Sequence, residues 1–504
     1  MKKRKAPDGT AEPCSGVGGG DRLSGLPDEL IGRILSFLPT PQAVLTAQLS
    51  RRAWAHVAAL NLSVRDFVRR AKFFALATVA LARFPTPGIP AISVEVDHHI
   101  YLVDEWYDRA MERAVGSVRV ASLRALSFLR LPPCTRAEAL HVTAPRTRLT
   151  LPEADLAFGR LAELSLTLLQ LGGARPLDEF LASCCPGLRT LRLRRVRGHP
   201  VRRLALRTGA LELLDLDTVD DLATLDVVAA NLRCLSVRSC FRLPRDGDGD
   251  GGVVTVSAPR IEAVCWYRSY PEQLTFRDGL AHVRRLAGPL KLPTLGRFDA
   301  PYTTQLLRSC ALAVDRLDME LVVPDEMALL NWVGAPTCED LIRHVPALPC
   351  VRVLSLKIRW GFGGGGVTSR LASFLSRTPS LTRLRIYASP YCLTVYEGEE
   401  AAPPRGKQQQ WKRSDVGADE QSRVRLDGLR EMSVDGLRGT DSEEHGIVQL
   451  LLASAPPSLE RMSLTFRDAA ASIVDEIAAE IPVHFPTATG RWDRCTTSVL
   501  TWTR

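Results

Sequence analysis

Lysine is scarce in this 504-residue sequence: there are eight, three of them at Lys2, Lys3 and Lys5. The formal net charge of +9 is therefore carried almost wholly by arginine. Those arginines are interspersed with acids along the chain, and that distribution does not point to nucleic acid. Long apolar runs are also lacking. The longest, residues 73–84, spans about a dozen positions with Lys72 and Arg83 at its ends, too short for a bilayer, so no membrane partner is expected. Residues 1–20 run from a basic cluster into Gly18, Gly19 and Gly20 without an apolar core, so they read as a disordered tail, not a secretory leader. The twelve cysteines include no C-x-x-C pair and no Cys/His group at zinc-ligand spacing. They are expected to be reduced and buried, in a cytoplasmic or nuclear protein. The cluster at residues 2–5 reads either as a nuclear-localisation signal or as a solvated tail.

Catalytic signatures are missing too. No G-x-S-x-G, H-E-x-x-H or Walker pattern occurs, so no catalytic residue is assigned. Residues 246–251 match the first half of a calcium loop, but Ser257 stands where the bidentate glutamate is required. Residues 361–366 satisfy G-x-G-x-x-G, yet Tyr387 and Ala388 occupy the place of the ribose-binding acid. His98 and His99 are adjacent on an expected strand, where neighbouring side chains point to opposite faces. No metal and no cofactor is expected. With 45% hydrophobic and 24% charged residues, the chain has material for a large core, as three domains or as one long repeat array.

Residues 21–60 hold the densest pattern. Pro27 suits the first turn of a helix, where its missing N–H costs nothing, and Asp28 and Glu29 favour the positive helix end. Leu30, Ile31, Ile34, Leu35 and Leu38 form a wide apolar stripe, and Pro39 stops the helix. Thr40 and Pro41 can open a second helix with Ala43, Val44, Ala47 and Leu49, and Ser50 a third with Trp54 and Val57. So few residues cannot bury so many apolar side chains among themselves, and part of that surface must meet a partner or the next domain. The stretch resembles an F-box, the module that docks on the Skp-type adaptor of SCF-class cullin–RING ubiquitin ligases. The matching residues are Leu26-Pro27-Asp28-Glu29-Leu30, Ile34-Leu35, Leu38-Pro39, Ala43-Val44 and Leu49-Ser50-Arg51-Arg52. Plant members usually place a tryptophan directly after the basic pair, whereas here Ala53 intervenes before Trp54.

Behind it, the pattern apolar-x-x-apolar-x-apolar recurs. Its central residues are Leu140, Leu164, Leu191, Leu214, Leu235, Val264, Leu317, Leu354, Leu384, Met432 and Met462. Pro186, Pro259, Pro349, Pro379 and Pro457 each stand two residues before a first apolar position, as at a strand entry. Helix-like runs at 177–184, 370–376 and 447–454 precede several triplets, which predicts units of helix, turn and short strand that must stack to bury their apolar faces. The array resembles the irregular leucine-rich repeats of plant F-box proteins. That resemblance implies an α/β fold: a three-helix F-box, then a solenoid with a parallel sheet on its concave face. Only Leu232 to Cys240 shows the fuller repeat form, with the cysteine expected beneath a turn.

The expected organisation is an F-box at 21–60, a helix-and-strand bridge at 61–130 and the solenoid at 131–396. A polar, disordered insertion at 397–423, an FBD-like cap at 424–490 and a tail at 491–504 follow. The resemblance implies a non-catalytic adaptor, the substrate-recognition subunit of an SCF-type ligase. Leu26, Pro27, Leu30, Ile31, Ile34, Leu35, Leu38, Val44, Leu49 and Trp54 would meet the Skp-type adaptor. A protein target would lie against concave-face residues such as Arg192, Arg194, Asp215, Asp217, Ser236, Arg238, Arg383 and Arg385, mixed in sign early and basic later. The alternative is a non-degradative scaffold that uses the repeats for protein interaction alone.

Overall fold

The computed structural model describes residues 26–38, 57–66, 70–84, 86–102, 105–152, 158–173, 175–241, 252–291, 300–323, 345–360, 366–390, 424–439, 441–467, 474–475, 477–478, 491–496 and 498–504. The expected tail at 1–20, the insertion at 397–423 and the calcium-like residues 246–251 lie outside them.

The apolar triplets form strands. The N-terminal set is β1 (Ala59–Ser63), β2 (Ile89–Val96), β3 (Ala114–Ser122), β4 (Leu129–Arg130), β5 (Ala139–Thr150), β6 (Glu163–Gly172) and β7 (Thr190–Arg194). A run of short strands follows: β8 (Arg203–Arg207), β9 (Leu213–Asp217), β10 (Thr224–Val228), β11 (Cys234–Arg238), β12 (Val253–Ser257), β13 (Ala263–Tyr267) and β14 (Gln273–Phe276). The last set is β15 (Arg285–Lys291), β16 (Arg316–Val323), β17 (Val353–Trp360), β18 (Arg383–Pro390), β19 (Glu431–Leu437), β20 (Arg461–Phe466), β21 (Arg491–Thr496) and β22 (Val499–Thr503). The helices are α1 (Asp28–Phe37), α2 (Arg70–Arg83), α3 (Glu105–Arg113), α4 (Leu177–Cys184), α5 (Ala300–Cys310), α6 (Val367–Leu375) and α7 (Ser442–Ala453).

One long sheet holds the fold together. From β1 the ladder runs through β2, β3, β5, β6, β7, β9, β11, β13 and then β15 to β20, each strand parallel to the next. The central residues of the sequence pattern fall in one register. Leu140 faces Leu164, which faces Leu191, and the row continues through Leu214, Leu235 and Val264. It resumes from Leu317 through Leu354, Leu384 and Met432 to Met462. All of these are buried, and each large side chain taken from water contributes roughly 1.5–3 kcal/mol.

Two additions extend the row. Leu286 of β15 stands between Val264 and Leu317, in the widest gap of the sequence pattern. Its unit escapes a search for three apolar positions because the third is Gly288, where a Cβ would come within 2.7 Å of the Trp266 carbonyl oxygen. The row also reaches back through Val118 and Ile92 to Leu60, so the expected bridge contributes strands to the same ladder.

The units are not uniform. Where repeats are long, the return path is helical, as in α4, α6 and α7 at or near the expected runs. Between β7 and β15 the spacing shortens and the described residues include no α-helix, only a 3-10 turn at His199–Val201. There the expected helix-turn-strand unit is replaced by strand-turn-strand: β8, β10, β12 and β14 pair in parallel as a second, four-stranded sheet. Alternation such as Val253-Val254-Thr255-Val256 suits a strand buried on one face, with Val254 and Val256 inward. Turns leaving the long sheet repeat one conformation. Arg195, Thr218, Ser239 and Arg268 all have positive φ, between 48° and 54°, although none is glycine. Three of them donate a backbone N–H to the next unit: Arg195 to Asp217 at 2.7 Å, Thr218 to Arg238 at 2.7 Å and Ser239 to Tyr267 at 2.8 Å. A hydrogen bond between repeats offsets the cost of the left-handed backbone.

Each end is closed differently. At the N-terminal end Phe73 of α2 packs edge-on against Trp106 of α3 and Tyr101, with ring centroids 5.4 and 5.0 Å apart. Residues 491–504, expected as a tail, instead form the hairpin β21–β22, and β22 runs antiparallel along β20. Trp502 and Leu500 sit opposite Met462 and Leu464 and are buried. The start of α7 is tied in by polar contacts. Trp360 Nε1 donates to Asp441 Oδ2 at 3.0 Å, and the buried Glu444 carboxylate accepts from the N–H groups of Arg438 and Gly439, both at 2.8 Å.

Leu354→Ala removes one buried rung, with an expected cost of about 2–5 kcal/mol. Because each repeat touches only its neighbours, hydrogen exchange should speed up first in β16 to β18 and least in β1 to β3; uniform loss would contradict this. Burial raises the Glu444 carboxyl to about 7 despite the two N–H donors. A folded value above the ordinary 4.5 means that its stabilisation is complete below that pH and is lost as pH rises to about 7. Melting curves should therefore show wild type losing ground to Glu444→Gln across this window, since the amide oxygen still accepts both N–H groups.

Candidate functional site

Helix α1 carries the first candidate surface. With Pro27 ahead of it, the N–H groups of Leu30 and Ile31 turn onto the Pro27 carbonyl at 3.0 and 3.1 Å. The predicted apolar stripe divides in two. Leu35 is only 2% exposed and belongs to the chain's own core, with Ile31 and Leu38 partly buried against it. Leu30 and Ile34 face outward, 47% and 44% exposed, and Phe37 extends the same face at 79%. Phe37 is absent from the predicted set although its spacing from Leu30 and Ile34 is that of one helix face. Pro27 is exposed and Leu26 half-buried, while Val44, Leu49 and Trp54 lie outside the described residues.

This helix is fastened to the ladder. Ser36 Oγ donates to the Gly32 carbonyl at 2.8 Å and accepts the Ala58 N–H at 2.9 Å. The Asn61 side-chain amide of β1 donates to the carbonyls of Ser36 at 2.8 Å and Leu38 at 3.3 Å, satisfying helix-end groups that would otherwise lack partners. The outward face is thus presented from the first strand of the solenoid.

The second candidate surface is the open face of the long sheet. Arg192, Asp215 and Ser236 align in one row, and Arg194, Asp217 and Arg238 in the next. Much of their charge is spent locally. Asp215 accepts from Arg194 at 2.8 Å and from Arg238 at 2.9 Å, Arg238 lies 3.6 Å from Asp217, and Arg192 pairs with Glu163. Burial alone would raise the Asp215 carboxyl, but hydrogen bonds from Arg194, Arg238 and Ser236 hold it below the usual carboxylate value. Farther along, Arg383 pairs with Glu431 at 3.1 Å, and Arg285 with Asp318 at 2.9 Å. Arg385 contacts the Tyr387 hydroxyl at 3.3 Å. A cavity of about 470 Å³ opens between these strands, with Leu354, Leu384 and Met432 among its lining residues and Arg316 and Arg461 at its rim. The two rim arginines escaped the sequence-based choice, although they flank Leu317 and Met462 as Arg383 flanks Leu384.

The nine described cysteines form no disulfide with one another, and burial pushes the thiols of Cys134, Cys185, Cys240 and Cys310 up to about 12, far from a reactive thiolate. Cys240 is buried where the repeat form places it. His98 and His99 are not on a strand: β2 ends at Val96, and the two rings lie side by side with centroids 4.3 Å apart, not on opposite faces. Among the described residues no cluster of three or more His, Cys, Asp or Glu is placed to hold a metal, and no helix is long and apolar enough to cross a membrane. Of the glycine-rich run only Gly366 is described, a left-handed residue preceding α6.

Comparison with known proteins bears on the first surface. The F-box domain family matches residues 23–53, which include α1. An F-box/LRR-repeat protein of Arabidopsis thaliana is 28% identical over 246 residues, 45% of this chain and 60% of that protein. An F-box/FBD/LRR-repeat protein of the same plant is 26% identical over 206 residues, covering 39% and 49% of the two chains. An FBD-associated F-box protein from it is 28% identical over 231 residues, covering 43% and 50%. The chain thus spans about half the length of the curated relatives it matches. With α1 inside the matched segment and the parallel ladder behind it, the chain carries an F-box domain followed by a leucine-rich-repeat-type solenoid, and is similar to F-box/LRR-repeat proteins.

Proposed function

We propose that this chain is the target-recognition subunit of an SCF-type cullin–RING ubiquitin ligase. The outward face of α1 would dock on a Skp-type adaptor, and the open face of the sheet would hold the protein destined for ubiquitination. The observation that carries this reading is the pairing of an exposed Leu30, Ile34 and Phe37 face with an inner face locked to β1. An adaptor bound there would be held in fixed relation to the solenoid, and the target with it. The contribution to ubiquitin transfer is then proximity, with no acid, base or nucleophile supplied by this chain. The proposal includes a cytoplasmic or nuclear setting, where buried thiols such as Cys184 stay reduced.

Replacing both Leu30 and Ile34 with aspartate puts two charges into a surface that docking would dry. Loss of adaptor capture by at least about a hundredfold is expected, while the solenoid stays folded because both side chains are outside its core. Co-purification of the double variant with a Skp-type adaptor, alongside wild type, is the measurement; undiminished capture overturns the docking assignment. Ubiquitin transfer to a co-captured target in the reconstituted ligase separates this role from that of a non-degradative scaffold.

A further inference from the structure

The open face of the C-terminal half carries a specific charge imbalance. Arg285, Arg316, Val353, Arg383, Glu431 and Arg461 occupy one register row across β15 to β20, and Asp318, Ser355, Arg385, Ser433 and Ser463 occupy the next. Asp318 neutralises Arg285, and Glu431 neutralises Arg383. Arg316, Arg385 and Arg461 are left with no carboxylate partner among the described residues, and all three line the same cavity. They are exposed, so water now solvates their charge. The side chains in register beside Arg385 are the serines 355 and 433, neutral donors and acceptors.

The spacing of these three cations limits what can engage them together. Neighbouring strands stand about 4.8 Å apart, and Arg385 is two strands and one row from each of the others, about 12 Å at the backbone. Arg316 and Arg461 are four strands apart, about 19 Å. A lone phosphate cannot touch all three. An extended chain rising about 3.3 Å per residue, with alternate side chains on one face, brings every fourth side chain to successive arginines. We infer that this cavity receives an extended acidic segment of the target protein, lying across strands β16 to β20 with anionic side chains four residues apart. The anions are carboxylates or phosphoryl groups, both of which guanidinium binds through paired hydrogen bonds. The inference rests on the reading of the open face as the target surface and names the chemical class it takes.

The test uses the full chain and fluorescein-labelled nine-residue peptides in a Gly/Ser background, with glutamate, phosphoserine or lysine at positions 1, 5 and 9. Anisotropy titration should show binding of the glutamate or phosphoserine peptide, whichever is preferred identifying the anion, and no binding of the lysine peptide. Binding should weaken as salt is raised. The triple variant Arg316→Ser, Arg385→Ser and Arg461→Ser should bind at least about tenfold more weakly. A control replacing Arg233, which pairs with Glu262 elsewhere on the solenoid, should bind as wild type. Equal binding by the triple variant, no binding of either acidic peptide, or tighter arginine-dependent binding of a single-stranded oligonucleotide each overturns the inference. Failure here is separable from failure of the docking role. The triple variant should still capture the Skp-type adaptor, and the Leu30→Asp, Ile34→Asp chain should still bind the peptide.

Discussion

The in-register stacking of one apolar side chain per repeat is the constraint on which the rest of this structure depends. From Leu60 to Met462 the central residue of each strand lies directly against its counterparts on the strands either side. A slip of one residue in any strand would turn its leucines to solvent and its charged residues into the core. The register therefore fixes at once which residues are buried and which form the open face. Charge pairs such as Arg194 with Asp215 follow from that placement; they do not create it.

Legibility of the fold in the sequence tracks this constraint closely. From Leu140 onward, where a unit keeps three apolar positions, the period identifies its strand, whereas the units of Leu60, Ile92 and Val118 keep the pattern and yet fall outside the expected solenoid. The unit of Leu286 is hidden because close backbone approach demands glycine at its third position. Return paths are less legible, since a run such as Val253 to Ser257 becomes a strand or a helix according to the room its repeat allows. The terminal hairpin is obscured for another reason: among its described residues the buried set is Leu500 and Trp502, too short a pattern to stand out from a tail.

The functional surfaces show a similar split. That α1 has an apolar stripe is plain from residues 30–38, but its division between own core and outward face depends on where β1 and Asn61 hold the helix. On the sheet face, sequence distinguishes outward residues from inward ones without revealing their partners. Asp215 looks like an available acid until Arg194 and Arg238 close on it from adjacent strands. Unspent charge is a property of the assembled rows, and only three-dimensional neighbours can separate Arg385 from Arg383.

A stack of parallel strands has no built-in length, and its last strand offers an unpaired backbone edge to any other sheet. The β21–β22 hairpin changes what that edge presents. By reversing strand direction against β20 it ends the parallel register, and its outer strand carries Arg491, Asp493 and Arg494 instead of a leucine ladder. Two copies meeting end to end would confront charged side chains where the interior of the ladder offers hydrocarbon. The same few residues that complete the core thus oppose growth of the solenoid into a fibre.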